Sequence, residues 1–172
     1  MSNLRLINET EIGTSVLSVS VTDVFSADFD IYKITLEGVT STGAGGLDLR
    51  FINASGSVIS ASNYDRAGLQ MRSYANFLEY RATNDTELQL YAYSLEGGGE
   101  SSVGYVFNPY LSSSYTFSLN QVSSYVDSGG GTSWKNIGVL KQTASMTGFQ
   151  LFNSSVNFDN GVIRTYGLRV DS

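Results

Sequence analysis

Apolar and polar residues alternate with a period of two through most of this chain, and no other feature restricts its fold as much. Tyr32, Ile34 and Leu36 alternate with Lys33, Thr35 and Glu37, Leu47, Leu49 and Phe51 with Asp48 and Arg50, and Leu17, Val19 and Val21 with Ser18, Ser20 and Thr22. Successive side chains of an extended chain point to opposite faces, so each run predicts a half-buried strand. The same reading predicts strands at 88–93, with Leu88, Leu90 and Ala92 inward, and at 103–107, 115–125, 134–140 and 147–152. Turn residues punctuate them at Asn53-Ala54-Ser55-Gly56, Asn84-Asp85-Thr86, Gly97-Gly98-Gly99, Asn108-Pro109 and Gly129-Gly130-Gly131.

Three stretches need separate treatment. The loop Thr40–Gly46 lies between two alternating runs, which are expected to pair as antiparallel neighbours. In 63–80, Tyr64, Ala67, Met71, Ala75 and Leu78 fall near helical spacing behind a candidate Asn63 cap, but Gly68 interrupts the run. Strand and irregular loop, with at most a short helical turn, is the expectation there. At the end of the chain, Asn160-Gly161 predicts a hairpin turn feeding a terminal strand. Ile163 and Thr165 would share one face and Tyr166 and Leu168 the other, which suits an interior position in a sheet.

Some ten short strands with little or no helix predict an all-β fold: a single antiparallel β-sandwich over residues 1–172, jelly-roll-like in its connections. Residues 1–14 would form either an arm that adds a strand to a neighbouring subunit or the first edge strand of the protein's own sheet. No fixed internal period points to a propeller or solenoid. At 172 residues one self-sufficient core is expected.

Composition narrows the chemistry. Without cysteine or histidine the chain has no thiolate chemistry, no disulfide framework and no imidazole base or metal ligand. A net charge of −6 on 15% charged residues, with Lys and Arg scattered, repels nucleic acid. The first residues show no basic segment followed by an apolar run of signal-peptide length, and no stretch is apolar enough to span a membrane. Synthesis in a cytoplasm is expected, yet the Ser-, Thr-, Gly-, Asn- and Tyr-rich makeup suits an exposed β protein. A virion component released by lysis would meet both conditions.

Four segments carry a family resemblance. Asp30-Ile31-Tyr32-Lys33-Ile34, Asn63-Tyr64-Asp65-Arg66-Ala67-Gly68, Glu100-Ser101-Ser102-Val103-Gly104-Tyr105-Val106-Phe107-Asn108-Pro109 and the terminal G-x-I-x-x-Y-G-L of Gly161–Leu168 resemble a family of virion proteins of marine and cyanobacterial phages. The resemblance implies a β-sandwich with a structural or fibre-associated place on a virion, and it implies no catalytic residues. The expected function is thus a non-enzymatic capsid decoration or cement protein. It would be a homo-oligomer, with a trimer expected, held by contacts with itself and with the major capsid protein or other virion proteins. The alternative is a lectin-like receptor-binding module of a tail fibre or baseplate that takes a host surface glycan.

Candidate site residues follow from that choice. No catalytic, cofactor-binding or metal-ligating set is expected, so cofactors are none. Asp28, Asp30 and Asp127 are the acidic candidates for glycosidase or calcium chemistry, and solvated turn acids is the favoured reading. Tyr91, Tyr93, Tyr110 and Trp134, with Tyr105, Tyr115 and Tyr125 beside them, could stack on sugar rings. Packing within the sandwich or at a subunit interface is preferred for them, because aromatic enrichment is common at interfaces.

Overall fold

The computed structural model describes residues 3–91, 99–126, 129–153 and 155–168. Twelve strands run in chain order: β1 (Leu4–Glu11), β2 (Ser18–Val21), β3 (Ile31–Ser41), β4 (Leu47–Asn53), β5 (Tyr64–Arg72), β6 (Leu78–Asp85), β7 (Leu88–Tyr91), β8 (Glu100–Phe107), β9 (Thr116–Val126), β10 (Gly130–Leu140), β11 (Met146–Phe152) and β12 (Phe158–Leu168). They form one eight-stranded sheet in the order β1-β12-β3-β8-β9-β10-β5-β6 and one four-stranded sheet in the order β2-β11-β4-β7. Every pairing is antiparallel.

The strand order encodes a jelly roll. If β2 is taken as the first position and the meander β8–β9–β10 as the seventh, the small sheet reads 1-8-3-6 and the large one 2-7-4-5. An odd number of strands at the seventh position preserves the chain direction there, so the pattern survives the insertion. The two ends of the chain, β12 and then β1, extend the large sheet on the free side of β3.

The core joins the two sheets through rings. Tyr32 and Tyr64 from the large sheet and Phe51 and Phe149 from the small one are fully buried. Phe25 stands 4.7 Å from Tyr32, 6.4 Å from Phe51 and 5.9 Å from Phe149, and Phe51 stacks on Tyr64 at 6.5 Å. Each tyrosine hydroxyl finds backbone partners, as burial requires. Tyr64 accepts from the Phe51 amide at 3.1 Å and donates to the Ile59 carbonyl at 2.9 Å. Burial pushes the Tyr64 phenol well above its ordinary range.

Three expectations are corrected here. The runs on either side of the Thr40–Gly46 loop do not pair, because β3 lies in the large sheet and β4 in the small one. Their alternation is the same in either arrangement, since Leu36 and Leu49 both face the core from opposite sides. Asn160-Gly161 is no hairpin turn but part of β12, where the register against β3 shifts on both sides of Asn160. Gly161, with φ of 144°, lies so close to the Val39 backbone that an added Cβ would sit 3.0 Å from its Cα. The glycine at 130 and its neighbour at 131 open β10 and pair with Val126 and Tyr125, so they are strand as well as turn.

Other expectations hold. β5 and β6 replace the helical alternative over 63–80, joined by a short irregular loop. β1 pairs with β12, so the first residues complete the chain's own sheet. β12 is flanked on both sides, with Ile163 and Thr165 buried on the inner face. The Gly97-Gly98-Gly99 tip lies outside the described residues except for Gly99, which has φ of 66°.

Candidate interaction surface

Over part of β9 and β10 the alternation has the opposite polarity to that in β3, although Val122, Trp134 and Leu140 keep apolar residues on the same buried face. Thr116, Asn120, Thr132 and Asn136 are buried, whereas Phe117 and Ile137 are 44% and 57% exposed. The inward asparagines have a specific task. Asn136 Nδ2 donates to the carbonyl of Leu90 at 2.6 Å, and Asn120 Nδ2 to the same oxygen at 3.4 Å. Leu90 belongs to β7, which borders the small sheet, and the two amides supply donors where a further strand would otherwise be needed. Glycines flank the pair in register, Gly104 opposite Asn120 and Gly68 opposite Asn136. A Cβ at Gly68 would come within 2.0 Å of Asn136 Oδ1.

Turning the polar residues of these strands inward turns their apolar residues outward, and the register collects them into rungs. One rung runs Leu4, Leu168, Ile31, Phe107, Phe117 and Val139 before ending at Asp65. The next runs Leu6, Tyr166, Lys33, Tyr105, Leu119, Ile137 and Ala67 and ends at Arg81. The Lys33 ammonium lies 5.9 Å from the centre of the Tyr166 ring, so even this charge sits over an aromatic surface. At ~4.8 Å per strand step the band crosses seven strands, roughly 29 Å. Two contiguous grooves of about 510 and 550 Å³ open on its far side and share Ala67, Arg81 and Ile137. None of the described strands packs on this face.

Charge of both signs borders the band. Lys135 and Glu79 lie on the adjoining rung, on either side of Leu69, and Asp65 is paired with Lys141 at 2.7 Å. Lys141 and the Asn84 amide hold the Asp65 carboxyl below the usual carboxylate range. Arg164 bridges Glu9 at 2.5 Å and Glu37 at 2.6 Å, tying β1, β12 and β3 together across the face. Both carboxylates raise the Arg164 guanidinium further above its ordinary value.

A second polar cluster lies where β4 meets β7. Asp48 is 6% exposed, and burial, with Glu87 and Asp85 nearby, raises its carboxyl to about 7 against the opposing pull of Arg66 and Arg50. Arg50 holds Glu87 at 2.9 Å and lies 4.3 Å from the centre of the Phe152 ring, while Arg66 holds Asp85 at 2.8 Å and Gln89 at 2.6 Å. Between the sheets the void lined by Leu36, Leu49, Leu88 and Asn120 measures about 30 Å³. That is far below the ~300–1,000 Å³ of small-molecule pockets.

The candidate aromatics separate in space. Trp134 is 1% exposed, with its ring 4.8 Å from that of Tyr80, so it packs the interior and presents no face to a sugar. Tyr110 is 40% exposed on the β8–β9 connection. Tyr91 ends β7, paired with Leu47, and its side chain, like all of Tyr93, lies outside the described residues. Tyr105 is half-buried in the apolar band, and Tyr115 and Tyr125 are exposed at 44% and 55%. Asp28 and Asp30 are exposed on the loop before β3, where Ser26 Oγ donates to Asp28, and Asp127 lies outside the described residues. Among the described residues no three acidic groups come together as a metal site. No helix there is long and apolar enough to cross a membrane.

Sequence reasoning missed Phe117, Leu119, Ile137 and Val139. The signal was the neighbouring Thr116, Asn120 and Asn136, whose polarity makes them look outward-facing when they are the buried set.

No family model matches this chain, and no curated protein does. Among solved structures, that of infectious bursal disease virus Gx strain overlaps it at 10% sequence identity, covering 96% of this chain and 40% of that one with a TM-score of 0.18. The chain thus spans well under half the length of that viral protein, and an overlap this slight carries no argument about function.

Proposed function

We propose that this chain is a phage virion structural protein that works by association through the outer face of its eight-stranded sheet, as a decoration protein on the capsid exterior. The observation that carries the reading is the apolar band across that face, formed by Phe117, Ile137, Leu119 and their register partners. Exposed apolar bands with a polar border mark interaction sites. A second copy of the chain is the occupant that fits: the mixed charge of Lys135, Glu79, Arg81 and Asp65 lets like surfaces meet without the repulsion that a −6 net charge would otherwise impose. Assembled copies, with a trimer as the expected form, would lie against the major capsid protein, many weak contacts summing by multivalency. The virion setting rests on the sequence resemblance, whose four segments fall on β3, β5, β8 and β12.

Sedimentation velocity tests the association. The wild-type chain is expected to sediment as an oligomer and Ile137→Asp, on an exposed position, as a folded monomer. A wild-type monomer at all concentrations, or an Ile137→Asp variant that still assembles, would overturn the reading. Copy number per virion by quantitative gel then separates a decoration protein, with hundreds of copies, from a tail component with a few tens or fewer.

A further inference from the structure

At the end of the sandwich where the chain enters β3 and leaves β8, two loops line an open pocket of about 130 Å³. Ser26, Phe29, Asp30, Asn108, Tyr110 and Leu111 line it. Its walls are fixed by contacts that do not depend on a ligand. The Tyr32 hydroxyl accepts from the Ser26 amide at 2.7 Å and donates to the Ser26 carbonyl at 2.9 Å. The Asn108 amide donates to the Asp30 carbonyl at 2.8 Å and joins the two loops, and the Met146 amide holds Pro109 at 2.7 Å. Phe29 lies over Gly167, where an added Cβ would fall 2.6 Å from its ring. Asn108 itself is held at φ of 54°, a left-handed conformation that asparagine tolerates better than most side chains.

Asp30, Asn108 and Tyr110 bring a carboxylate, an amide and a phenol to the pocket lining, and Tyr110 is 40% exposed. We propose that the pocket binds one neutral pyranose ring, with the Tyr110 ring against its C–H face and Asp30 and Asn108 taking adjacent hydroxyls.

The chemistry selects that class. A carboxylate and an amide offer an acceptor and a donor–acceptor pair, which suits the two roles each hydroxyl plays. An aromatic side chain provides the flat apolar surface that the ring's C–H groups need. The volume is below the ~300–1,000 Å³ of pockets that enclose a whole drug-sized ligand, so it holds a single ring and not an extended chain. Asp30 and nearby Asp28, with no Lys or Arg in the lining, disfavour anionic sugars. One such contact is weak, and repetition of the chain on a particle would turn weak binding into avidity. The pocket shares no lining residue with the apolar band but adjoins its end, Asp30 and Asn108 being chain neighbours of Ile31 and Phe107, so it is tested in the Ile137→Asp variant as well as in the wild-type chain.

The experiment is a two-dimensional amide NMR titration with D-glucose, D-galactose, D-mannose and N-acetylglucosamine, and N-acetylneuraminic acid as the anionic probe. At least one neutral sugar is expected to give saturable shifts confined to residues 26–30 and 108–111. Tyr110→Ala is expected to weaken that binding at least about tenfold, as loss of an aromatic anchor does, and Asp30→Asn to weaken it as well. Tyr125→Ala and Ile137→Asp should leave it unchanged, and thermal melts establish that each variant folds. The proposal is overturned if no neutral sugar gives saturable shifts there, if N-acetylneuraminic acid binds more tightly, or if Tyr110→Ala binds like wild type.

Discussion

Replacing Asp48 by asparagine should change stability in a way that depends on pH and on almost nothing else. The carboxyl is buried in the fold at 6% exposure and raised from 3.8 to about 7, first by burial, then by Glu87 and Asp85, with Arg66 and Arg50 opposing. The folded state therefore holds this proton more tightly than the unfolded chain does. The contribution is fully present below pH ~4, declines as pH rises, and is lost above pH ~7. A shift of some three units at ~1.4 kcal/mol each puts the ceiling near 4 kcal/mol. Relaxation around a partly charged cluster would leave about half of it, on the order of 2 kcal/mol. Asparagine has nearly the same shape and never ionises. Its stability relative to wild type should therefore rise by about 1.5–3 kcal/mol between pH 4.5 and pH 8, or about 3–12 °C in Tm for a chain of this size. Urea unfolding of both proteins at several pH values, with the slope checked for constancy, measures this directly. Other carboxylates cancel in the comparison. A difference independent of pH, or a variant that loses ground as pH rises, would refute the reasoning.

Further outcomes follow from the interior. Trp134→Ala should cost about 3–5 kcal/mol, as truncation of a buried aromatic does, and a melting curve checks it; a loss of sugar binding in that variant would accordingly report unfolding. Gly68→Ala forces Asn136 off the Leu90 carbonyl and should cost about 1–3 kcal/mol, with faster amide exchange in β7 as its local signature. Removing residues 1–11 takes away β1 and uncovers β12 from Val162 to Leu168, so the truncated chain should aggregate at concentrations where the intact chain stays clear, as light scattering would record.

Much of this fold can be read from local pattern. Tyr32, Ile34 and Leu36 announce a strand and its buried face, and the buried residues of the structure agree. What local pattern does not carry is which strand lies beside which. β3 and β4 read as a hairpin because a chain that crosses between layers keeps the same alternation as one that turns back within a layer. Asn160-Gly161 reads as a turn because positive φ serves a bulge as well as a hairpin, and only the nearness of the Val39 backbone distinguishes them.

The candidate surface was hidden for a different reason. Asn120 and Asn136 are buried because Leu90, 30 and 46 residues away, needs hydrogen-bond donors. No window around either asparagine contains that fact, so the apolar side chains between them look like core when they form the outer band. Tyr110 and Asp30, read separately as an aromatic and an acid, meet only because the loops before β3 and after β8 close one end of the sandwich.

The chain has no cysteine, which makes a single introduced thiol a clean reporter of the outer face. Maleimide labelling of Ile137→Cys should slow as protein concentration rises, while Ser20→Cys, exposed on β2 of the other sheet, should label at one rate throughout. Equal, concentration-independent rates at both positions would contradict an interface on the eight-stranded sheet.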